Sequence, residues 1–470
     1  MKKIAIVYGE LNNDIQKRAV EELTEIILDY TSEYPVCLPY NDGVVTDSFS
    51  CIYIGTRKSN PYIARMTENS LTLPESYSIR AGGDSIIIEG YDDAGVLYGA
   101  LDFYNRFVIK FEYPPRSGNA NENWAELLDK NSLPALEFTS APSVKERGLW
   151  TWGHVIYDYR KYLHNMMKLK MNGVIIWNDF VPTNARDIVA YAHSCNIKVY
   201  WGFAWLWDTS FNKISIKELE GEPEKILRKY ESQYASSEGD GIYFQTFTEL
   251  NEDNIDGVLI AEAAAKFVNK TSSLLYSKYP DIEIQFGLHA SSVKNKLEFI
   301  GSVDPRIRIV WEDCGAFPFA YDPTKVDNFD ETKEFVEKIA NLRGSDDRFG
   351  AVTKGFTTLD WTKFEHLKGP QCIGVSSERL RKGRAAEKAR KWKYIRAGWM
   401  INSDKALEAV KQMCDLKNGD LSVFALVEDG LFEENIMYPV ALYSEMLWNC
   451  RGDVKDLMTS VSFRDYVRYE

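Results

Sequence analysis

From Lys145 onward the chain repeats one pattern eight times: a short apolar run, a loop, then an amphipathic stretch. The runs expected as strands are Glu146–Trp150, Gly173–Trp177, Lys198–Phe203, Ile242–Phe247, Ile282–Leu288, Ile307–Trp311, Phe349–Leu359 and Ser422–Val427. They are rich in β-branched and aromatic residues, as strands are. Between them, stretches such as Asp158–Lys170, Ala185–Cys195, Asn254–Lys270 and Tyr438–Trp448 read as helices. Parallel strands need such crossovers, and strands covered on both faces read as nearly unbroken apolar runs. Eight units of this kind predict an α/β fold, a closed (β/α)8 TIM barrel.

Residues 1–115 alternate strand and helix patterns on a smaller scale and predict an accessory α/β domain. Lys3–Val7, Ser50–Gly55 and the hairpin Tyr77–Ala81/Ser85–Gly90 read as strands, Asp14–Tyr30 as a helix, and Asp93 as the cap of a helix running to about Val108. The segment Glu112–Pro142, rich in Pro, Asn and Ser, reads as a connection. The expected boundaries are 1–115 for the accessory domain, 116–144 for the connecting segment and 145–470 for the barrel. An insertion at about 362–420 carries helices near Ser377–Ile401 and Lys405–Cys414.

A formal net charge of -13 argues against a general nucleic-acid partner, which would need a basic face. No stretch approaches the roughly 20 apolar residues of a membrane-spanning helix. The start, MKKIAIVYGE, lacks the apolar length of a secretory signal and reads as the first strand. Seven scattered Cys without CxxC spacing suit reduced thiols, so a cytoplasmic protein is expected, with a processed secreted form as the alternative. Oligomeric state is open, a homodimer included. Five scattered His form no HExxH pair, and there is neither a P-loop nor a GxSxG elbow, so no metal or other cofactor is implied. The basic run Arg379–Lys393 reads as a solvated helix face.

Residues with chemistry gather where the strands end. They are Trp150, Trp152 and His154 after the first; Trp177, Asn178 and Asp179 after the second; and Trp201, Trp205, Trp207 and Asp208 after the third. The fourth brings Gln245 and Glu249, the fifth His289, and the sixth Trp311, Glu312 and Asp313. Asp360 and Trp361 follow the seventh, and Glu428 and Asp429 the eighth. The C-terminal ends of barrel strands form the mouth where barrel enzymes do their chemistry. Eight of the twelve Trp fall there, interleaved with carboxylates and amides, a combination suited to the apolar faces and hydroxyl rims of sugars. Paired carboxylates in such a site are what glycoside hydrolysis needs, one protonated and one ionised.

The segment Arg147–Asp179 resembles glycoside hydrolases of the β-N-acetylhexosaminidase type, through Arg147-Gly148, Lys170-Met171-Asn172, Trp177 and Asp179. Tyr91–Phe107 is similar to the helix closing the accessory domain that hexosaminidases share with α-glucuronidases. Ala441–Asn449 resembles the last barrel helix of the α-glucuronidase group. Where hexosaminidases carry His-x-Gly-Gly-Asp-Glu, this chain has Gln245-Thr246-Phe247-Thr248-Glu249, with Thr248 at the Asp position. That departure puts substrate-assisted cleavage of an N-acetyl sugar in doubt and is closer to α-glucuronidases. The resemblance implies Glu249 as general acid, and Glu312 or Asp313 as the partner that activates water. Asp360 and Asp429 stand behind them. It implies Arg147, with Lys354 second, as contacts to substrate hydroxyls or a uronate carboxylate. Trp152, Trp177, Asn178, Asp179, Trp201, Trp205, Gln245, His289, Trp311, Asp360, Trp361 and Asp429 complete the expected oligosaccharide site. The expected activity is an exo-acting glycosidase; a non-catalytic sugar-binding barrel and a hexosaminidase with a divergent strand-four motif are the alternatives.

Overall fold

The computed structural model describes residues 2–41, 46–68, 70–109, 123–152, 156–178, 180–206, 214–249, 253–289, 296–313, 315–324, 326, 328–357, 369–417, 420–427 and 432–468. Backbone alone is described at Trp152. The chain forms two compact units. One is Met1–Pro142 with His193–Asn196 and Lys455–Asp465; the other is Ser143–Ala192, Ile197–Val454 and Tyr466–Glu470. No helix among the described residues is long and apolar enough to cross a membrane.

The first unit is built on a six-stranded sheet. Its strands are β1 (Lys3–Tyr8), β2 (Val36–Pro39), β3 (Phe49–Thr56), β4 (Tyr77–Gly83), β5 (Ser85–Gly90) and β6 (Leu133–Ser140), in the order β2-β1-β3-β5-β4-β6. β1, β2, β3 and β5 run parallel, while β4 pairs antiparallel with both β5 and β6. Helices Asp14–Thr31 and Asp93–Asp102 bury apolar faces in this unit. Two expectations change here. The cap of the second helix is Asp92, whose carboxylate accepts from the Gly95 N–H at 2.8 Å. Asp93 instead accepts from the Asn13 and Gln16 side chains. Residues 123–140, expected to be connection, hold the helix Trp124–Asp129 and the edge strand β6. An edge strand half open to solvent lacks the apolar run that would have marked it.

The second unit is a closed, all-parallel barrel of β7 (Glu146–Trp152), β8 (Gly173–Trp177), β9 (Lys198–Gly202), β10 (Gly241–Phe244), β13 (Glu283–His289), β14 (Arg308–Glu312), β15 (Phe349–Phe356) and β16 (Leu421–Val427). A two-stranded ribbon, β11 (Asn254–Ile255) and β12 (Val258–Leu259), interrupts the fourth unit. Its turn is Asp256-Gly257, both at positive φ, a signature two-residue hairpin loop. The helix expected from Asn254 therefore begins at Ile260 and runs to Lys278. β10 ends at Phe244, so Glu249 belongs to a 3-10 turn, Phe247–Glu249, beyond the strand. The insertion carries helices Glu378–Ile401 and Ser403–Leu416.

Side chains alternate across each strand. The inward set includes Trp150, Ile175, Trp177, Tyr200, Tyr243, Val310, Val352, Phe424 and Leu426, which form one fully buried cluster. Inward glycines make room for these rings: a Cβ at Gly202 would lie 2.8 Å from the Trp177 ring. Below the cluster, at the strand starts, Arg308 pairs with Asp420 at 2.8 Å and Glu283 at 3.5 Å, and Arg348 pairs with Glu283 at 2.5 Å. Tyr200 donates to Glu146 beside them.

Candidate active site

At the other end of the barrel, where the strands finish, the inward positions turn polar again. Glu312, the last residue of β14, is fully buried. Its Oε1 accepts from the Tyr243 hydroxyl at 2.5 Å and from the Gln245 amide; its Oε2 pairs with the Lys354 ammonium of β15 at 3.1 Å. Gly287 creates the space for this contact, since a Cβ there would meet the Tyr243 hydroxyl and come within 2.6 Å of Glu312 Oε1. Lys354 in turn lies over the Trp150 ring, 5.7 Å from its centroid.

The electrostatics follow from this geometry. Burial opposes ionisation of Glu312, but Lys354, His289 and the hydrogen bonds from Tyr243 and Gln245 outweigh it. They hold the carboxyl below its ordinary range. His289, at the end of β13, is pushed down to about 4 by burial and then by Lys354, against the pull of Glu312. At neutral pH the imidazole is therefore uncharged, and Lys354 is the cation facing Glu312. Tyr243 is raised well above its usual value by burial, by the charge of Glu312 and, more weakly, by that of Glu249. Two carboxylates thus act on one buried phenol. Glu249 itself is partly exposed.

Asp313 is buried too, but its Oδ1 is committed to its own loop, accepting from the N–H groups of Gly315, Ala316 and Phe317 at 3.1, 2.8 and 2.9 Å. Burial raises its carboxyl, with those backbone donors opposing. Trp177 closes β8 on the inward face, and Asn178 follows it, buried, its carbonyl accepting from Tyr234 at 3.0 Å. Trp152 is in register with Trp177.

Other expected contacts lie elsewhere. Arg147 is near the start of β7, at the opposite end of the barrel from Glu312. Its guanidinium donates to the carbonyls of Val144, Lys145 and Lys170 and lies over the Trp448 ring. It braces the barrel floor and does not reach the mouth. Trp201 and Trp311 fall on the outward phase of their strands. Trp201 packs by Tyr234, and Trp311 by Phe317. Trp205 stacks on the outward Phe244 at 3.7 Å. All three are buried under the surrounding elements. Asp179, Asp360, Trp361 and Asp429, with His154, Trp207, Asp208 and Glu428, lie outside the described residues. Tyr243 and Gly287 were not anticipated. The one available signal was the inward phase of β10, which puts Tyr243 in step with Gln245.

No protein-family model and no curated protein matches the chain. Solved structures do. Over 97% of its length the chain is similar, at 11% identity and a TM-score of 0.54, to a GH138 enzyme described as targeting pectin rhamnogalacturonan II. A chitobiase of family GH20 from Flavobacterium johnsoniae matches over 98%, at 11% identity and 0.54. A GH115 4-O-methyl-α-glucuronidase with specificity for decorated arabinogalactans matches over 96%, at 11% and 0.51. The chain spans 65%, 68% and 57% of those three proteins. The accessory sheet and parallel barrel of this chain are thus a fold shared with glycoside hydrolases of several families.

Proposed function

We propose that the protein is an exo-acting glycoside hydrolase working on oligosaccharides of the uronic-acid or hexosamine type. The observation that carries this reading is Glu312, buried at the end of β14 and paired with Lys354 at 3.1 Å; Glu249, partly exposed on the turn after β10, supplies the second carboxylate. Glu249 is the general acid, donating its proton to the leaving glycosidic oxygen. Glu312 is the base. Its Oε1 already accepts two bonds, while Oε2 has Lys354 as its one partner among the described residues, leaving a lone pair for a water proton. Trp150 and Trp177 form the apolar lining beneath the sugar, and Asp313 fixes the loop that follows Glu312. The α-glucuronidase-like assignment rests on Thr248, which replaces the carboxylate that would steer an acetamido group. The structural neighbours include a 4-O-methyl-α-glucuronidase and a chitobiase, one from each sugar class.

The test is hydrolysis of a panel of nitrophenyl glycosides and uronic-acid-bearing oligosaccharides by wild type and Glu249→Gln. Release from one class that falls by several orders of magnitude in the mutant is the expected result. Near-normal turnover by Glu249→Gln would remove that residue from the mechanism. The engagement of Glu312 by three protein donors favours one rival, a sugar-binding barrel without catalysis. An inert wild type whose glycan affinity is unchanged in Glu249→Gln would support it.

A further inference from the structure

The insertion carries a charge opposite to that of the chain as a whole. Helix Glu378–Ile401 holds nine Lys and Arg against two Glu, in a chain of formal net charge -13. One face of this helix is fixed to the barrel. Trp392, Ile395 and Trp399 are buried, Trp399 stacks on Phe356 of β15 at 4.2 Å, and Arg381 pairs with Asp158 and Glu434. At about 100° per residue, the opposite face carries Arg379, Lys382, Arg390 and Lys393, all of them exposed. Lys382 pairs with Glu378 one turn back at 2.6 Å. Arg379, Arg390 and Lys393 have no ion-pair or hydrogen-bonding partner among the described residues. The same face ends in apolar residues. Tyr394, Met400 and Ile401 lie in its sector, with Tyr394 and Ile401 69% and 77% exposed. Half of the large apolar side chains exposed among the described residues fall between Val375 and Ile401. Exposed apolar residues scattered singly need no explanation, but these three share one end of a cationic stripe.

We propose that this outer face of the insertion helix docks on an anionic lipid bilayer. Arg379, Lys382, Arg390 and Lys393 meet the acidic headgroups, while Met400 and Ile401 enter the edge of the acyl region and Tyr394 sits at headgroup level. The chain as a whole is acidic, so the attraction is confined to this helix and competes with a repulsive background. The contact is therefore peripheral, reversible and weakened by salt. The apolar end of the stripe distinguishes a bilayer from other anionic partners. A nucleic acid or a polyuronate would neutralise the cations and leave Tyr394, Met400 and Ile401 in water, whereas a bilayer engages both. A second copy of the same face would bring like charges together.

The experiment uses the full chain and does not depend on its substrate. The protein is mixed with sucrose-loaded vesicles of phosphatidylcholine alone, or of equimolar phosphatidylcholine and phosphatidylserine, and the bound fraction is measured by sedimentation. Wild type is expected to sediment with the acidic vesicles, to stay in solution with the neutral ones, and to be released by salt. The double variant Arg390→Glu, Lys393→Glu should lower the partition about thirty-fold or more. Neither side chain has a partner in the fold to lose, and far-UV circular dichroism checks that the helix persists. Ile401→Ser leaves the charge unchanged and should lower the partition about ten-fold. Wild type that stays in solution with acidic vesicles at low salt overturns the proposal, as does undiminished binding by the double variant. Loss in the double variant beside full binding by Ile401→Ser would assign the face to an acidic polymer and overturn the assignment to lipid.

Discussion

Lys354→Met tests the electrostatic arrangement at the mouth most directly. It keeps the length of the side chain over Trp150 and removes the only cation paired with Glu312 among the described residues. Stripping one partner from a buried pair costs about 3–5 kcal/mol if the other stays charged. Glu312 has a cheaper course, which is to take up a proton. Held neutral at pH 7 against an ordinary value of 4.5, it costs about 3 kcal/mol, at about 1.4 kcal/mol per pH unit. At pH 5 the same course costs under about 1 kcal/mol. The sign therefore reverses with the mutation. In wild type the folded-state value lies below the unfolded one, so the contribution is present above the unfolded value and is lost as pH falls through the folded one. In Lys354→Met the folded value lies above, so stability falls as pH rises from about 4.5 toward 7. Urea denaturation of both proteins at pH 5, 6 and 7 measures it. The deficit of the mutant should grow with pH, and adding Glu312→Gln should recover most of it. A deficit that stays under about 1 kcal/mol at every pH would refute the claim that the pair is desolvated.

Three further outcomes follow from the same geometry. Gly287→Ala forces a methyl group between Tyr243 and Glu312; a loss of about 1–3 kcal/mol is expected by thermal melting, with a fall in any hydrolytic rate. Arg147→Leu strands the carbonyls of Val144, Lys145 and Lys170, so a loss of about 3 kcal/mol or more is expected. Its kcat/KM per folded molecule should be unchanged, and a selective loss of uronate substrates would count against placing it on the floor. Glu433 is buried, accepts from the Tyr157 N–H at 2.6 Å, and is pushed up to about 7, burial being the largest cause. Its folded value exceeds the unfolded 4.5, so its contribution is full below pH 4.5 and lost as pH rises through 7. Glu433→Gln should flatten that part of the stability–pH curve, and an unaltered curve would assign the slope to other groups.

The barrel was legible because each strand is a short β-branched and aromatic run, and eight recurrences leave few alternatives. What periodicity could not supply was phase. In Lys-Val-Tyr-Trp-Gly of β9 both faces are buried, so nothing in the residues says that Tyr200 turns inward and Trp201 outward. The same ambiguity placed Trp311 and Trp205 at the mouth by position along the chain alone. Arg147 was misplaced for a related reason: a residue near the start of a parallel strand belongs to the floor, whatever motif it shares. The turn at Asp256-Gly257 was readable, but a helical pattern just downstream masked it. Tyr243 had only its phase with Gln245 as a signal, since its contact with Glu312 depends on a glycine, Gly287, on the neighbouring strand.

The polar residues of the barrel interior form two separate layers, and the separation matters for the chemistry. The floor balances its own charges, with Arg308 and Arg348 against Glu283 and Asp420. The mouth balances Glu312 against Lys354. Between them lies the buried ring layer of Trp150, Tyr200, Tyr243 and Phe424. Of these rings only Tyr243 carries its hydroxyl to the mouth; Tyr200 sends its own to the floor. A charge–charge interaction at close range is several-fold stronger in such surroundings than in water. Glu312 therefore responds to Lys354, His289, Tyr243 and Gln245 and little to the floor. A substrate that displaced Lys354 from Oε2 would raise the proton affinity of Glu312 just as a water arrived beside it. On the proposed mechanism, that coupling would let Glu312 serve as the base only when the mouth is occupied.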